Sequence, residues 1–209
     1  ALSSAASDVY KRQAMKENLA GIEDYTRIAT HLQPEQIVKY GELTLRENQI
    51  AYADPGFFRL FDFELLKGDK KTCLSMPRQV VITERIASKY FKDEDPIGKI
   101  FIFTGAYDKI SCEVTGVMKE MPSNSHIHYS FLISYKSLPK YMQEYWYKHE
   151  AYTYVLLDSP ERKAEIEREF PVMAEKYKTD EALKNKTWGV SLIPLADICL
   201  LYTSPSPRD

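Results

Sequence analysis

From residue 24 onward the apolar positions fall in short runs separated by turn-forming residues. Segments 25–29, 37–40, 43–45 and 50–53 read as strands, punctuated by Pro34, Gly41 and Asn48. Before them, 15–19 reads as the end of a helix that Gly21 stops. Asp54-Pro55-Gly56 opens a short helix with Phe57, Phe58 and Phe61 on one face, followed by extended Phe63 and Leu65 and a turn at Gly68-Asp69. Such aromatics can line a ligand pocket, but burial for packing is their commoner fate. Val80, Val81 and Ile82 form a buried-type strand that runs into Thr83, an N-cap for a helix over 84–91. On that helix Ile86, Ala87, Tyr90 and Phe91 share a face, so it docks on a sheet. Pro96 and Gly98 mark a charged turn before a strand at 100–104.

Strict alternation over 110–118 predicts a half-buried antiparallel strand with Cys112 facing inward. After a loop at 122–125, Tyr129, Phe131 and Ile133 mark one face of another strand, and 140–149 reads as a surface loop with some helix. A strand at 151–157 precedes Ser159 as N-cap and Pro160 at the first helical position. The following helix carries Ile166, Phe170, Met173, Ala174 and Tyr177 along one stripe, with a kink or break expected at Pro171. Its charged face, over 161–178, reads as a solvated surface. A strand at 188–195 would close a strand-helix-strand unit, right-handed if its strands are parallel neighbours. There is no internal repeat, and the order of elements is that of an α+β chain.

The two ends change the domain count. Residues 1–13 and 199–209 match translations of a pair of transposase sequencing adapters and are expected to be non-native. Of 209 residues, 185 then remain, enough for one large domain or two small ones. Of 28 basic and 30 acidic residues, Lys11, Arg12, Arg208, Asp8 and Asp209 lie in those ends, so the remainder carries a net charge of −3. That balance argues against a nucleic-acid partner, which requires a basic surface. No apolar run in 14–198 reaches the length of a membrane span. Cys73 and Cys112 could pair in an oxidising compartment, though two free thiols are the default for so few cysteines.

Catalytic spacings are not found. There is no GxSxG, HExxH or GxGxxG, and the single Gly-Lys, Gly98-Lys99, has Asp93 where a phosphate loop needs glycine. His126 and His128, at i and i+2, would share a face if they lay on a strand and could ligate one metal ion with a third ligand from a neighbouring strand. No Asp, Glu or Cys stands close by to supply one, so no metal site is assigned. His31 and His149 are isolated. No catalytic residue, cofactor or metal follows from the residues alone.

Six segments in order carry a resemblance: Ala51-Tyr-Ala-Asp-Pro-Gly-Phe-Phe58 with its continuation to Asp69, Val80-Val-Ile-Thr-Glu-Arg-Ile86 with its continuation to Phe91, Asp93-Glu-Asp-Pro-Ile-Gly-Lys99, Val114-Thr-Gly-Val-Met-Lys119, Asn124-Ser-His-Ile-His-Tyr-Ser-Phe131 and Pro194-Leu-Ala-Asp-Ile198. Together they resemble the MacB-like periplasmic core domain of FtsX-type ABC-transporter permeases over essentially all of 14–198. The resemblance implies two lobes, a porter-like β-α-β lobe from 14–69 and 139–198 and a smaller mixed lobe inserted at 70–138. It implies a periplasmic domain of an inner-membrane protein, with transmembrane helices before Ala14 and after Ile198. It further implies an ABC ATPase as partner, a second permease protomer in a dimer, and mechanical coupling of ATP hydrolysis to export or membrane extraction, with no enzymatic residue in the domain. The competing expectations are a secreted or lipid-anchored binding module and a hydrolase using the His126 and His128 face.

Overall fold

Ten strands form one mixed sheet in the computed structural model, which describes residues 19–30, 35–105, 109–144, 151–176 and 189–201. The strands are β1 (Ile22–Ala29), β2 (Gln36–Tyr40), β3 (Leu43–Glu47), β4 (Ile50–Ala53), β5 (Leu65–Gly68), β6 (Gln79–Thr83), β7 (Ile100–Thr104), β8 (Lys109–Met118), β9 (Phe131–Ser134) and β10 (Ala151–Leu157). Their order is β10-β1-β4-β9-β6-β8-β7-β2-β3, with β5 paired to β8 off this path. Only β4–β9 and β6–β8 are parallel. Among the described residues the α-helices are α1 (Phe57–Leu60), α2 (Glu84–Phe91), α3 (Lys140–Glu144), α4 (Arg162–Lys176) and α5 (Leu195–Leu201).

Both faces of the central strands are covered, which explains why β4 and β9 read as unbroken apolar runs rather than alternating ones. One face packs Phe101, Phe103, Phe131, Val80 and Ile82 under Ile86, Tyr90 and Phe91 of α2. The other packs Ile28, Ala51, Val81 and Leu132 under Phe57, Phe58 and Phe61. The aromatic cluster is therefore core. α2 begins where expected, because the Thr83 hydroxyl accepts a hydrogen bond from the Ile86 amide at 3.4 Å.

β2 and β3 form a hairpin whose two-residue loop places Gly41 at φ +55°, a backbone region suited to glycine. In β8 the alternation is clean up to Val114 and then lost, because the register against β6 shifts at Thr115 and both faces are buried from Gly116 to Met118. The Thr115 hydroxyl uses the bulge to donate to the Cys73 carbonyl at 2.6 Å.

Several expectations are corrected. β8 is antiparallel to β5 and β7 but parallel to β6. The strand expected over 188–195 is absent among the described residues: only an isolated bridge at Leu192 appears before α5 begins. Pro194 lacks the amide a strand ladder needs there, and among the described residues β10 and α4 are not followed by a second strand. Pro171 does not break α4, which runs through it. Helical structure starts at Arg162, two residues after Pro160, since the first turn is made by Arg162 and Lys163 amides donating to Ser159 and Pro160 carbonyls. Residues 1–13, Tyr177 and most of 15–19 lie outside the described residues. At the other end, α5 runs across residue 198 to Leu201.

Candidate functional site

His126 and His128 lie in the irregular segment before β9, not on a strand, so the geometry that would have aimed both at one ion is missing. Ile127 between them is buried. His126 Nε2 sits 3.3 Å from the Tyr154 hydroxyl, and burial pulls the His126 pKa below its ordinary value, with the charge of His128 adding to the effect. Among the described residues no three His, Cys, Asp or Glu side chains come together as metal ligands.

The strongest polar feature of the interior was not visible in the chain. Arg27 on β1 and Asp54, just beyond β4, meet where those strands pair, and both are buried. Arg27 Nε donates to Asp54 Oδ2 at 2.7 Å and Nη2 to Oδ1 at 3.0 Å, while the Arg27 amide also donates to Oδ2 at 3.2 Å. The guanidinium carbon lies 3.6 Å from the centre of the Tyr135 ring. Burial works against its charge, but Asp54 more than offsets this and the Arg27 pKa ends above its usual value. Nη1 makes no hydrogen bond, and the face of Tyr135 is the compensation the structure offers it. The guanidinium stays charged and its bidentate grip on Asp54, with the Arg27 amide on the same carboxylate, fixes the junction of β1 and β4.

A second buried cluster ties the far edge of the sheet to α2. Glu47 Oε1 accepts from Lys89 Nζ at 2.6 Å and from the Tyr90 hydroxyl at 2.8 Å. Burial and the bond to Glu47 both push the Tyr90 pKa up, so the phenol remains protonated.

An apolar cleft of about 300 Å³ lies at the β10 end, bounded by the end of α1, the start of α4 and the segment leading into α5. Tyr154, the partner of His126, lines it.

Residues 3–171 match the sequence model of the MacB-like periplasmic core domain. The chain belongs to this family. The matched range begins within residues 1–13 and ends inside α4. Comparison with curated proteins finds no match. Among solved structures, this MacB-like domain is similar to a permease-protein domain from Porphyromonas gingivalis, with TM-score 0.72, 21% identity, and coverage of 92% of this chain and 85% of that one. It is also similar to the periplasmic region of MacB from Actinobacillus actinomycetemcomitans, with TM-score 0.65, 14% identity, and coverage of 97% and 85%. The extracellular domain of the noncanonic ABC-type transporter YknZ from Gram-positive bacteria gives TM-score 0.58 at 14% identity, covering 92% and 99%. At these identities the likeness is one of fold. The MacB-like domain is thus a mixed α/β, extracytoplasmic-type domain of an ABC-transporter permease.

Proposed function

We propose that this domain works mechanically: it links ATP hydrolysis by a cytoplasmic ABC ATPase to export of a substrate, or its extraction from the inner membrane, as one of two facing protomers. The family match over residues 3–171 carries this reading. The sheet is suited to the role, because pairing runs without interruption from β10 at one edge to β3 at the other, so displacement at one end is transmitted through hydrogen-bonded backbone. The division into a porter-like lobe and an insertion at 70–138 belongs to the same proposal. Residues 70–138 supply β9, β6, β8 and β7, a contiguous block in the sheet order, with β10-β1-β4 on one side and β2-β3 on the other.

The test is made in the complete permease with its ATPase, reconstituted in vesicles. Replacing residues 14–198 as a whole by a short linker should leave basal ATP hydrolysis intact and abolish ATP-driven substrate movement. Substrate movement that persists at the wild-type rate would refute the coupling role and favour a separate binding module.

A further inference from the structure

β3 closes one end of the sheet, and among the described residues β2 is its only strand partner. The two-residue loop between them fixes which backbone groups of β3 that partner uses. In such a turn the amide of the last residue donates to the carbonyl of the first, here Leu43 to Tyr40. Bonded and unbonded residues then alternate along an antiparallel strand. Leu43, Leu45 and Glu47 therefore direct their amides and carbonyls to β2, and those of Thr44 and Arg46 point away from the sheet. Thr44 and Arg46 are exposed, and their amides and carbonyls have no partner among the described residues. The pairing with β2 has no bulge and β3 has no proline, so of the usual guards of an edge only the charge of Arg46 is present.

The two faces of this edge differ in chemistry. On the α2 side Leu45 packs onto the Phe101 cluster, and Leu43 is 39% exposed. On the other side stand Thr44 and Arg46, with Lys39 of β2 directly across from Thr44. Lys39 is exposed and makes no ion pair among the described residues. Arg46 meets Glu35 through Nη1 alone, at 3.2 Å, in a pair whose side chains are 74% and 56% exposed. Such a surface pair is weak, and the remaining guanidinium N–H groups can take a second carboxylate. A second copy of the chain paired symmetrically about Leu45 would crowd Lys39 and Arg46 of both copies on one face, which disfavours it as the occupant.

We infer that the β3 edge is a docking site for an extended strand of a partner protein in which apolar and acidic residues alternate. The partner's backbone pairs with Thr44 and Arg46, its apolar side chains extend the Leu43 and Leu45 face, and its carboxylates meet Arg46 and Lys39. Lys39 is long enough to reach over the small Thr44 side chain, because neighbouring strands lie only about 5 Å apart. The inference rests on the edge itself and stands or falls separately from the coupling role.

The full 209-residue chain is titrated by fluorescence anisotropy with a labelled, end-capped heptapeptide of alternating glutamate and valine. One control peptide replaces each glutamate by lysine, and two others carry N-methyl groups on the glutamates or on the valines. The expected result is saturable binding of the parent, with a loss of about tenfold or more for the lysine peptide and for one methylated peptide only. Thr44→Pro removes an amide that β2 does not use, and should weaken binding about tenfold with an unchanged circular dichroism spectrum. Lys39→Glu should narrow the preference for glutamate over lysine several-fold. Absence of saturation up to about 1 mM, equal binding of the glutamate and lysine peptides, or equal binding of both methylated peptides overturns the inference. Sedimentation that shows the chain dimerising, with Thr44→Pro restoring the monomer, also overturns it and gives the edge to a second copy.

Discussion

Cys73 and Cys112 lie on opposite faces of the same sheet, Cys73 among the Phe57 cluster and Cys112 among the Phe101 cluster. Both are free and buried, and burial pushes each thiol up to about 12. A thiolate is the reactive form, so neither should react while the protein is folded. In a Cys199→Ser background, titration with a chromogenic disulfide at pH 8 should find no reactive thiol in the native chain and two after denaturation. Because the folded state holds these protons more tightly, their stabilising contribution is present below the ordinary thiol pKa of 9.0 and is lost as pH rises toward about 12. A disulfide-linked mass in oxidised protein would contradict the arrangement.

The Arg27–Asp54 pair should behave as a buried ion pair whose halves are far more costly apart than absent together. Asp54→Ala strands a guanidinium that is almost wholly enclosed, and the loss expected is about 3–5 kcal/mol. The double replacement Arg27→Met with Asp54→Leu should recover most of that loss. Urea denaturation of Arg27→Met, Asp54→Leu and the double variant measures the coupling. A double variant as unstable as the sum of the singles would show that backbone geometry, not charge, is what the pair secures.

Much of this fold is legible because local signals agree with tertiary packing. α2 is defined by its Thr83 cap and its Ile86, Tyr90 and Phe91 face, and both hold in the structure. α4 shows its buried stripe of Ile166, Phe170, Met173 and Ala174 in the same way. The Arg27–Asp54 pair was not legible, since its partners are 27 residues apart and a lone arginine in a strand gives no sign of which carboxylate it meets. The cleft was equally hidden: it follows from β10 being the sheet's edge, a property of strand order that periodicity does not encode. The His126 and His128 spacing suggested a shared face, but that holds only on a regular strand, and β9 starts at Phe131.

His126 offers a pH test with a definite sign. Its pKa is lowered by burial, so the unfolded chain takes up the proton first as pH falls. The histidine's contribution is therefore present above its ordinary pKa of 6.5 and is lost as pH falls through the lower folded value. The ring is part-buried and still screened by solvent, so the effect on stability is small, and NMR titration of the imidazole is the sharper measurement. A His126 midpoint at or above 6.5 would show that the Tyr154 side does not exclude water as the geometry indicates.

Gly68 tests how tightly β5 is laid against the β8 bulge. It sits at φ +95°, and a Cβ there would collide with the Thr115 carbonyl oxygen, a backbone atom that cannot swing aside. Gly68→Ala thus combines a disfavoured backbone region with a steric clash, and the expected loss is about 1–3 kcal/mol. Gly98, at φ +81° with nothing within 4 Å of the added carbon, shares the strain without the clash. Comparing the two alanine variants by denaturant midpoint separates the terms. Equal losses would mean that β5 lifts away from Thr115 at no cost, and that the edge pairing of β5 contributes little to holding Cys73 and Leu74 over the sheet.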